Sequence, residues 1–254
     1  MHRIANSLSY KTFLSTIGKL IVFSVLTINL AACKGLVNSD TKSAEQRADS
    51  AAAQKPLVME VIAKSGSLDT ALLFKAIRES SIPETAVYNW NNRYVIFGKI
   101  ADTEFTKSLI LAKQPDLDVK VYRDKFYEFS REKHCQPNGL ASEWDHTILT
   151  ANLVQDSVLQ QEYLDYHATQ FEKWPELSKG FCNANFQQLL IFRNGRQLML
   201  VISIPKGESL DKLNPKTTEN NPRVDEWNKL MAKYQEGIEG TKPGETWVFL
   251  KPVK

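Results

Sequence analysis

The chain of 254 residues is short of several features that would have set its class at once. It lacks a strong charge of one sign: 32 Lys+Arg stand against 29 Asp+Glu, a formal net charge of +3. It lacks a glycine- or proline-dominated composition. With 11 Gly, 10 Pro, 43% hydrophobic and 24% charged residues it has an ordinary globular balance, which excludes a wholly disordered, collagen-like or polytopic membrane protein. It also lacks any His/Cys/Asp cluster with metal-ligand spacing, so neither a metal nor another cofactor is expected. The length suits one large domain or two small ones.

The small positive charge has a location. Residues 1–32 hold Arg3, Lys11 and Lys19 and no acidic residue, and without them basic and acidic residues balance at 29 each. A neutral remainder removes the hint of a nucleic-acid partner. The same stretch carries an apolar run from Leu20 to Ala32, broken only by Ser24, Thr27 and Asn29. The run is too short to span a bilayer comfortably and fits a signal-peptide core. It ends in Leu30-Ala31-Ala32-Cys33, which resembles the lipobox of bacterial lipoproteins. That resemblance implies removal of residues 1–32 and lipidation of Cys33. Each acyl methylene would hold the protein to a membrane by about 0.8 kcal/mol. No acidic run follows Cys33, so the expected location is the cell envelope, on the periplasmic face of the outer membrane.

Two cysteines remain, Cys135 and Cys182. An oxidising compartment permits a disulfide across their 47-residue separation, which would contribute about 4 kcal/mol on the chain-entropy model. Two independent buried thiols are the other reading, because sequence carries no distance.

Residues 38–55 are polar, rich in Ala and Ser, and without aromatic or large aliphatic side chains. They cannot bury enough apolar surface to offset ordering, so residues 33–55 read as anchor and flexible tether. The folded part follows. Strand character runs over Leu57–Ile62, helical spacing over Leu68–Ser80, and a hairpin over Thr85–Gly98 turning at Asn91-Asn92. A helix over Glu104–Lys113 and a strand over Val119–Phe129 complete a βαββαβ order, the ferredoxin-like motif. The order then repeats: a strand over His146–Leu153, a helical region from Ser157 interrupted before Trp174-Pro175, a hairpin around Asn194-Gly195, a helix over Asn221–Ile238 and a strand over Thr246–Leu250. A shift of 103 residues lays Asn91-Asn92-Arg93 on Asn194-Gly195-Arg196, which reads as internal duplication. The boundaries are 56–140 for the first repeat and 141–254 for the second. Each unit alone exposes an apolar sheet face, so the two are expected to pack sheet against sheet.

Four histidines occur, one within the signal segment. His134 and His146 flank the junction between repeats and read as loop or strand-edge residues. His167 differs, because its spacing of four puts Tyr163 on the same helix face. A phenol beside an imidazole can donate and accept protons near neutral pH. Two amphipathic rings packing together is the bland alternative.

The neighbourhood of this pair carries a resemblance. Glu162-Tyr163-Leu164-Asp165-Tyr166-His167 and Trp174-Pro175-Glu176-Leu177 resemble the L-rhamnose mutarotase family. So do Ile191-Phe192-Arg193-Asn194-Gly195, the run from Asn221 to Met231, Lys233-Tyr234-Gln235 and Gly244-Glu245-Thr246-Trp247-Val248. The resemblance implies an α+β fold of two ferredoxin-like βαββαβ repeats packed as a pseudo-dimeric α/β barrel. The family works as homodimers, so one chain with two repeats would be an internal pseudo-dimer and a monomer. It implies exchange between the α and β anomers of a 6-deoxy sugar, with a small-molecule sugar as partner. His167 would be the proton donor, Tyr163 a catalytic sugar contact, and Trp227, Asn228 and Trp174 substrate-binding residues.

The chain also departs from the pattern. Asn228 stands where the family has the second of two tryptophans, and Phe186-Gln187-Gln188-Leu189 lacks an expected tyrosine. The first repeat lacks the Tyr/His helix, so one active site per chain is expected. Trp227 also lies on the apolar stripe Val224-Trp227-Met231, where core packing alone would explain it. A non-catalytic sugar-binding or structural lipoprotein on the same fold is the second functional reading.

Overall fold

The structure is a computed structural model that describes residues 55–136 and 139–253. The signal segment, Cys33 and the tether through residue 54 lie outside the described residues. The first unit runs β1 (Leu57–Ala63), α1 (Thr70–Glu79), β2 (Val87–Trp90), β3 (Arg93–Gly98), α2 (Thr103–Lys113) and β4 (Leu117–Tyr122). Asp69 caps α1 by accepting from Ala71 N and Leu72 N, and Asp102 caps α2 by accepting from Phe105 N. Such caps are typically worth about 1 kcal/mol each. Next come β5 (Lys125–Ser130) and a short helical turn at Arg131–His134. The second unit runs β6 (Trp144–Leu153), α3 (Ser157–Ala168), a turn at Gln170–Lys173, α4 (Pro175–Asn183), β7 (Gln188–Asn194) and β8 (Gln197–Pro205). It ends with α5 (Pro222–Met231), the two-residue β9 (Gln235–Glu236) and β10 (Val248–Pro252).

The strands form one antiparallel path in the order β4-β1-β3-β2-β10-β6-β8-β7-β5. Read by repeat, β4-β1-β3-β2 and β10-β6-β8-β7 are the same arrangement, the strand order of a ferredoxin-like unit. The fold is α+β with a curled antiparallel sheet, as the repeat pattern predicts. Each repeat lends its closing strand to the other. β4 pairs with β1, and after only Arg123 and Asp124 the chain pairs as β5 with β7 of the second unit. In β10, Val248–Leu250 pair with β6 while Lys251 and Pro252 pair with β2. The single strand expected over Val119–Phe129 is therefore two, because the chain changes partner midway.

Strand alternation sorts side chains into layers. Val58, Val95, Phe97, Leu190, Phe192 and Val201 fill the interior shared by the two units. Leu57, Met59, Val61 and Ile96 face α1 and α2 in the first unit, and Leu189, Ile191 and Ile202 face the helices of the second. Each fully buried side chain of this size contributes roughly 1.5–3 kcal/mol.

The strand order repeats, and the two hairpins align with a shift of 104, not 103. The hairpin loops are Asn91-Asn92 and Gly195-Arg196, with Trp90 paired to Arg93 and Asn194 to Gln197. Val95 and Phe97 thus correspond to Met199 and Val201, all in the shared interior. A one-residue slip would send them to the helix face. A second correction concerns the last helix, which stops at Met231. The chain turns there so that β9 can add to the end of β6 at Asn152 and Leu153.

One end of the shared interior is polar. Glu60, fully buried on β1, pairs with Arg93 and accepts from Tyr122 Oη (2.8 Å) and Gln197 Nε2 (2.8 Å). Gln197 comes from the second unit, so this network ties the two repeats together. Cys135 and Cys182 form a disulfide with Cα atoms 5.7 Å apart, fastening the segment after β5 to α4. Among the described residues no helix is long and apolar enough to cross a membrane.

Candidate functional site

The helix layer of the second unit is not completely filled. A cavity of about 430 Å³ lies between the outer face of β7–β8 and the helices α3, α4 and α5. Leu189, Ile191, Leu200 and Ile202 make its floor. Tyr163, His167, Trp227 and Asn228 all line it. In the first unit the corresponding layer between sheet and helices is packed with Leu73, Ile77, Ile96 and Ile110.

The helix α3 positions the central pair. Asp156 caps it by accepting from Val158 N and Leu159 N, and Tyr163 and His167 fall on its buried face. Their ring centroids are 4.3 Å apart. His167 Nδ1 lies 2.8 Å from the backbone oxygen of Tyr163. A carbonyl oxygen only accepts, so Nδ1 carries the proton. Burial lowers the imidazole pKa from 6.5 to about 4, against an upward push from that hydrogen bond. The ring is therefore neutral, and Nε2 bears a lone pair with no hydrogen-bond partner among the described residues. Burial also raises the Tyr163 phenol well above its ordinary value, which keeps it protonated.

Trp227 is buried against His167 (ring centroids 5.2 Å) and presents the rest of its surface to the cavity. It is both core stripe and cavity wall. Asn228, one residue on, is exposed at the rim. Trp174 is placed differently from the other sequence-predicted site residues. It does not line the cavity but stands behind Trp227 (5.4 Å), with the Arg223 guanidinium 3.8 Å over its ring. Pro175 opens α4 immediately after it. His134 stacks on Phe171, and His146 sits on β6 against Ser203 Oγ. Neither is among the cavity residues.

Several lining residues were not assigned from sequence. Phe186 is on the wall, so the region lacking the expected tyrosine supplies a ring without a hydroxyl. A phenol arrives instead from β5: Tyr127 packs edge-on to His167 (5.2 Å) and donates to Gln170 Oε1. Gln170 in turn donates to the Trp174 carbonyl (3.0 Å). Gln235 donates to Tyr163 Oη (3.1 Å) and accepts from Trp247 Nε1 (3.1 Å). Gln235 and Trp247 both fall in segments that carry the family resemblance, so a signal was present. Tyr127 had none, because its place depends on the strand exchange. Among the described residues no group of three or more His, Cys, Asp or Glu is placed to hold a metal ion.

An apolar cavity with a neutral imidazole and a protonated phenol converging on it has the groups needed to exchange protons with a small, partly apolar molecule. The L-rhamnose mutarotase family model matches residues 148–253, within the second repeat. The L-fucose mutarotase of Xanthomonas campestris pv. campestris is 31% identical over 97 residues, 38% of this chain and 75% of that protein. A UPF0734 protein of Dictyostelium discoideum is 30% identical over 100 residues, 38% of this chain and 77% of that protein. The chain belongs to the L-rhamnose mutarotase family.

Proposed function

We propose that this protein is a lipid-anchored envelope mutarotase that interconverts the α and β anomers of a deoxyhexose such as L-rhamnose or L-fucose. The observation that carries the reading is the pairing, in one cavity, of an unpartnered imidazole Nε2 with a protonated phenol.

In the sugar, His167 Nε2 takes the proton of the anomeric hydroxyl. The bond from C1 to the ring oxygen breaks, and that oxygen takes the Tyr163 proton, leaving an open-chain aldehyde. Rotation about C1–C2 presents the other carbonyl face. The sugar hydroxyl returns its proton to Tyr163 as it attacks, and Nε2 returns its proton to the carbonyl oxygen. Every proton is restored at the end of a cycle. His167 thus enters as an acceptor rather than the donor that the resemblance implied, because its only proton is held by the Tyr163 carbonyl.

The aliphatic floor favours a methyl group over a hydroxymethyl at C6, since a buried hydroxyl without a partner costs roughly 1–3 kcal/mol. Comparing L-fucose with L-galactose, and L-rhamnose with L-mannose, isolates that one oxygen. Faster exchange of the deoxy member in each pair supports the reading, and equal rates contradict it. Anchoring at Cys33 is tested by labelling cells with a fatty acid: Cys33→Ser loses label and membrane association if the lipobox reading holds.

A non-catalytic sugar-binding role is the second reading, favoured by the Phe186–Leu189 region lacking the family's tyrosine, by Asn228 standing at the second tryptophan and by the degenerate first repeat. It predicts sugar binding without acceleration of anomer exchange.

A further inference from the structure

The hydrogen bonds behind Tyr163 have only one consistent direction. An indole N–H donates and never accepts, so the Gln235 atom 3.1 Å from Trp247 Nε1 is the amide oxygen. The amide NH2 then faces Tyr163, and Tyr163 Oη is an acceptor at 3.1 Å. With that side of the phenol oxygen occupied by a donor, its own hydrogen points elsewhere, and the open direction is the cavity.

We propose that Gln235 is a positioning residue for the reaction: oriented by Trp247, it turns the Tyr163 hydroxyl hydrogen towards the bound sugar and stabilises the phenolate that forms when the hydrogen leaves. The inference rests on the mutarotase reading above. The second role follows from the same bond. Burial raises the phenol pKa, and donation from Gln235 opposes that rise. The place of Gln235 is fixed by the fold, because β9 is pinned to Asn152 and Leu153 of β6. The following Gly237 packs where a Cβ would lie 2.5 Å from the Glu245 carbonyl oxygen, drawing the segment that carries Trp247 against it.

The decisive variant is Gln235→Glu. An ionised carboxylate accepts from both Trp247 and Tyr163, so the phenol hydrogen turns away from the cavity. A protonated carboxyl has the same pattern as the amide, with its C=O accepting from Trp247 and its O–H donating to Tyr163. The reversal is therefore pH-dependent. Other titratable groups nearby are Glu162, Tyr163 and His167 on α3, Tyr234 and Glu236 beside Gln235, Arg196 paired with Glu236, and Glu245. The wild type carries all of them and is the control at each pH.

The experiment is saturation-exchange NMR on L-fucose and L-rhamnose with wild type, Gln235→Glu and Trp247→Phe, with the unaided exchange subtracted. The expected kcat of Gln235→Glu is about 10- to 100-fold below wild type near neutral pH, with little change in KM. The deficit should shrink as pH falls towards the ordinary glutamate value of about 4.3. Trp247→Phe, which frees the amide to flip, should lose a smaller factor with no such recovery. A Gln235→Glu rate equal to wild type near neutral pH, or a deficit that does not change with pH in a protein with a wild-type melting profile, overturns the inference. A wild type that accelerates neither sugar overturns the mutarotase reading instead.

Discussion

His167 Nδ1 donates to the carbonyl oxygen of Tyr163, one turn earlier on the same helix, at 2.8 Å. That bond decides the tautomer and leaves Nε2 as the ring atom available for chemistry. In the proposed reaction two residues four apart supply the base and the acid, the base set by the backbone of α3 and the acid turned by Gln235.

A pH profile follows from this. Burial lowers the His167 pKa to about 4, so the imidazole is a neutral acceptor through the physiological range. The kcat/KM for anomer exchange, corrected for the unaided reaction, should be flat from about pH 8 to about pH 5 and fall as Nε2 is protonated below that. An imidazolium acting first as an acid would show the opposite slope, losing rate as pH rises through about 4.

Removing the phenol hydrogen without the ring separates chemistry from packing. Tyr163→Phe should lower kcat by about 10²–10⁴-fold with a modest change in KM. Trp227→Ala removes a cavity wall and a core ring together, so it should raise KM and also cost about 3–5 kcal/mol of stability. Steady-state exchange rates and urea midpoints on the same preparations distinguish the two patterns.

The polar end of the shared interior is tested through Arg93. Glu60 is fully buried beside it, so Arg93→Met leaves a carboxylate without its cation and should destabilise by about 3–5 kcal/mol. The double variant Glu60→Leu/Arg93→Met should recover much of that loss. Equal losses in single and double variants would mean that the pair contributes through shape alone.

The disulfide fastens α4, which carries Leu177 and Phe181 of the cavity wall, to the segment after β5. Replacing Cys135 and Cys182 with Ala should lower stability by up to about 4 kcal/mol. Denaturant midpoints under oxidising conditions measure it.

Much of this architecture was legible from residue order. The alternation of Val95 and Phe97, the periodicity around Tyr163 and His167, and the two βαββαβ orders all survive in the structure. What failed did so for identifiable reasons. Asn194-Gly195 is a strong turn signal, but the two-residue loop sits one position later, and a slip of one moves every side chain to the other face. Val119–Phe129 reads as one strand because nothing in its apolar pattern records a change of partner at Arg123-Asp124. That exchange brings Tyr127 to the cavity, so the residue was invisible until the topology was known. The Trp-Pro-Glu motif at Trp174 marks the start of α4 and does not by itself give the direction of the indole. Gln235 and Trp247 lay inside matched segments, but their relation to Tyr163 depends on β9 adding to β6.

The proton-transfer account stands or falls on one comparison: the L-fucose and L-rhamnose anomer-exchange rates with purified wild type and with His167→Ala, both by saturation-exchange NMR. Wild type should accelerate exchange of at least one sugar, and His167→Ala should lose about 10²-fold or more of that acceleration while melting as a folded protein. A variant that exchanges anomers as fast as wild type would show that His167 does not move the proton.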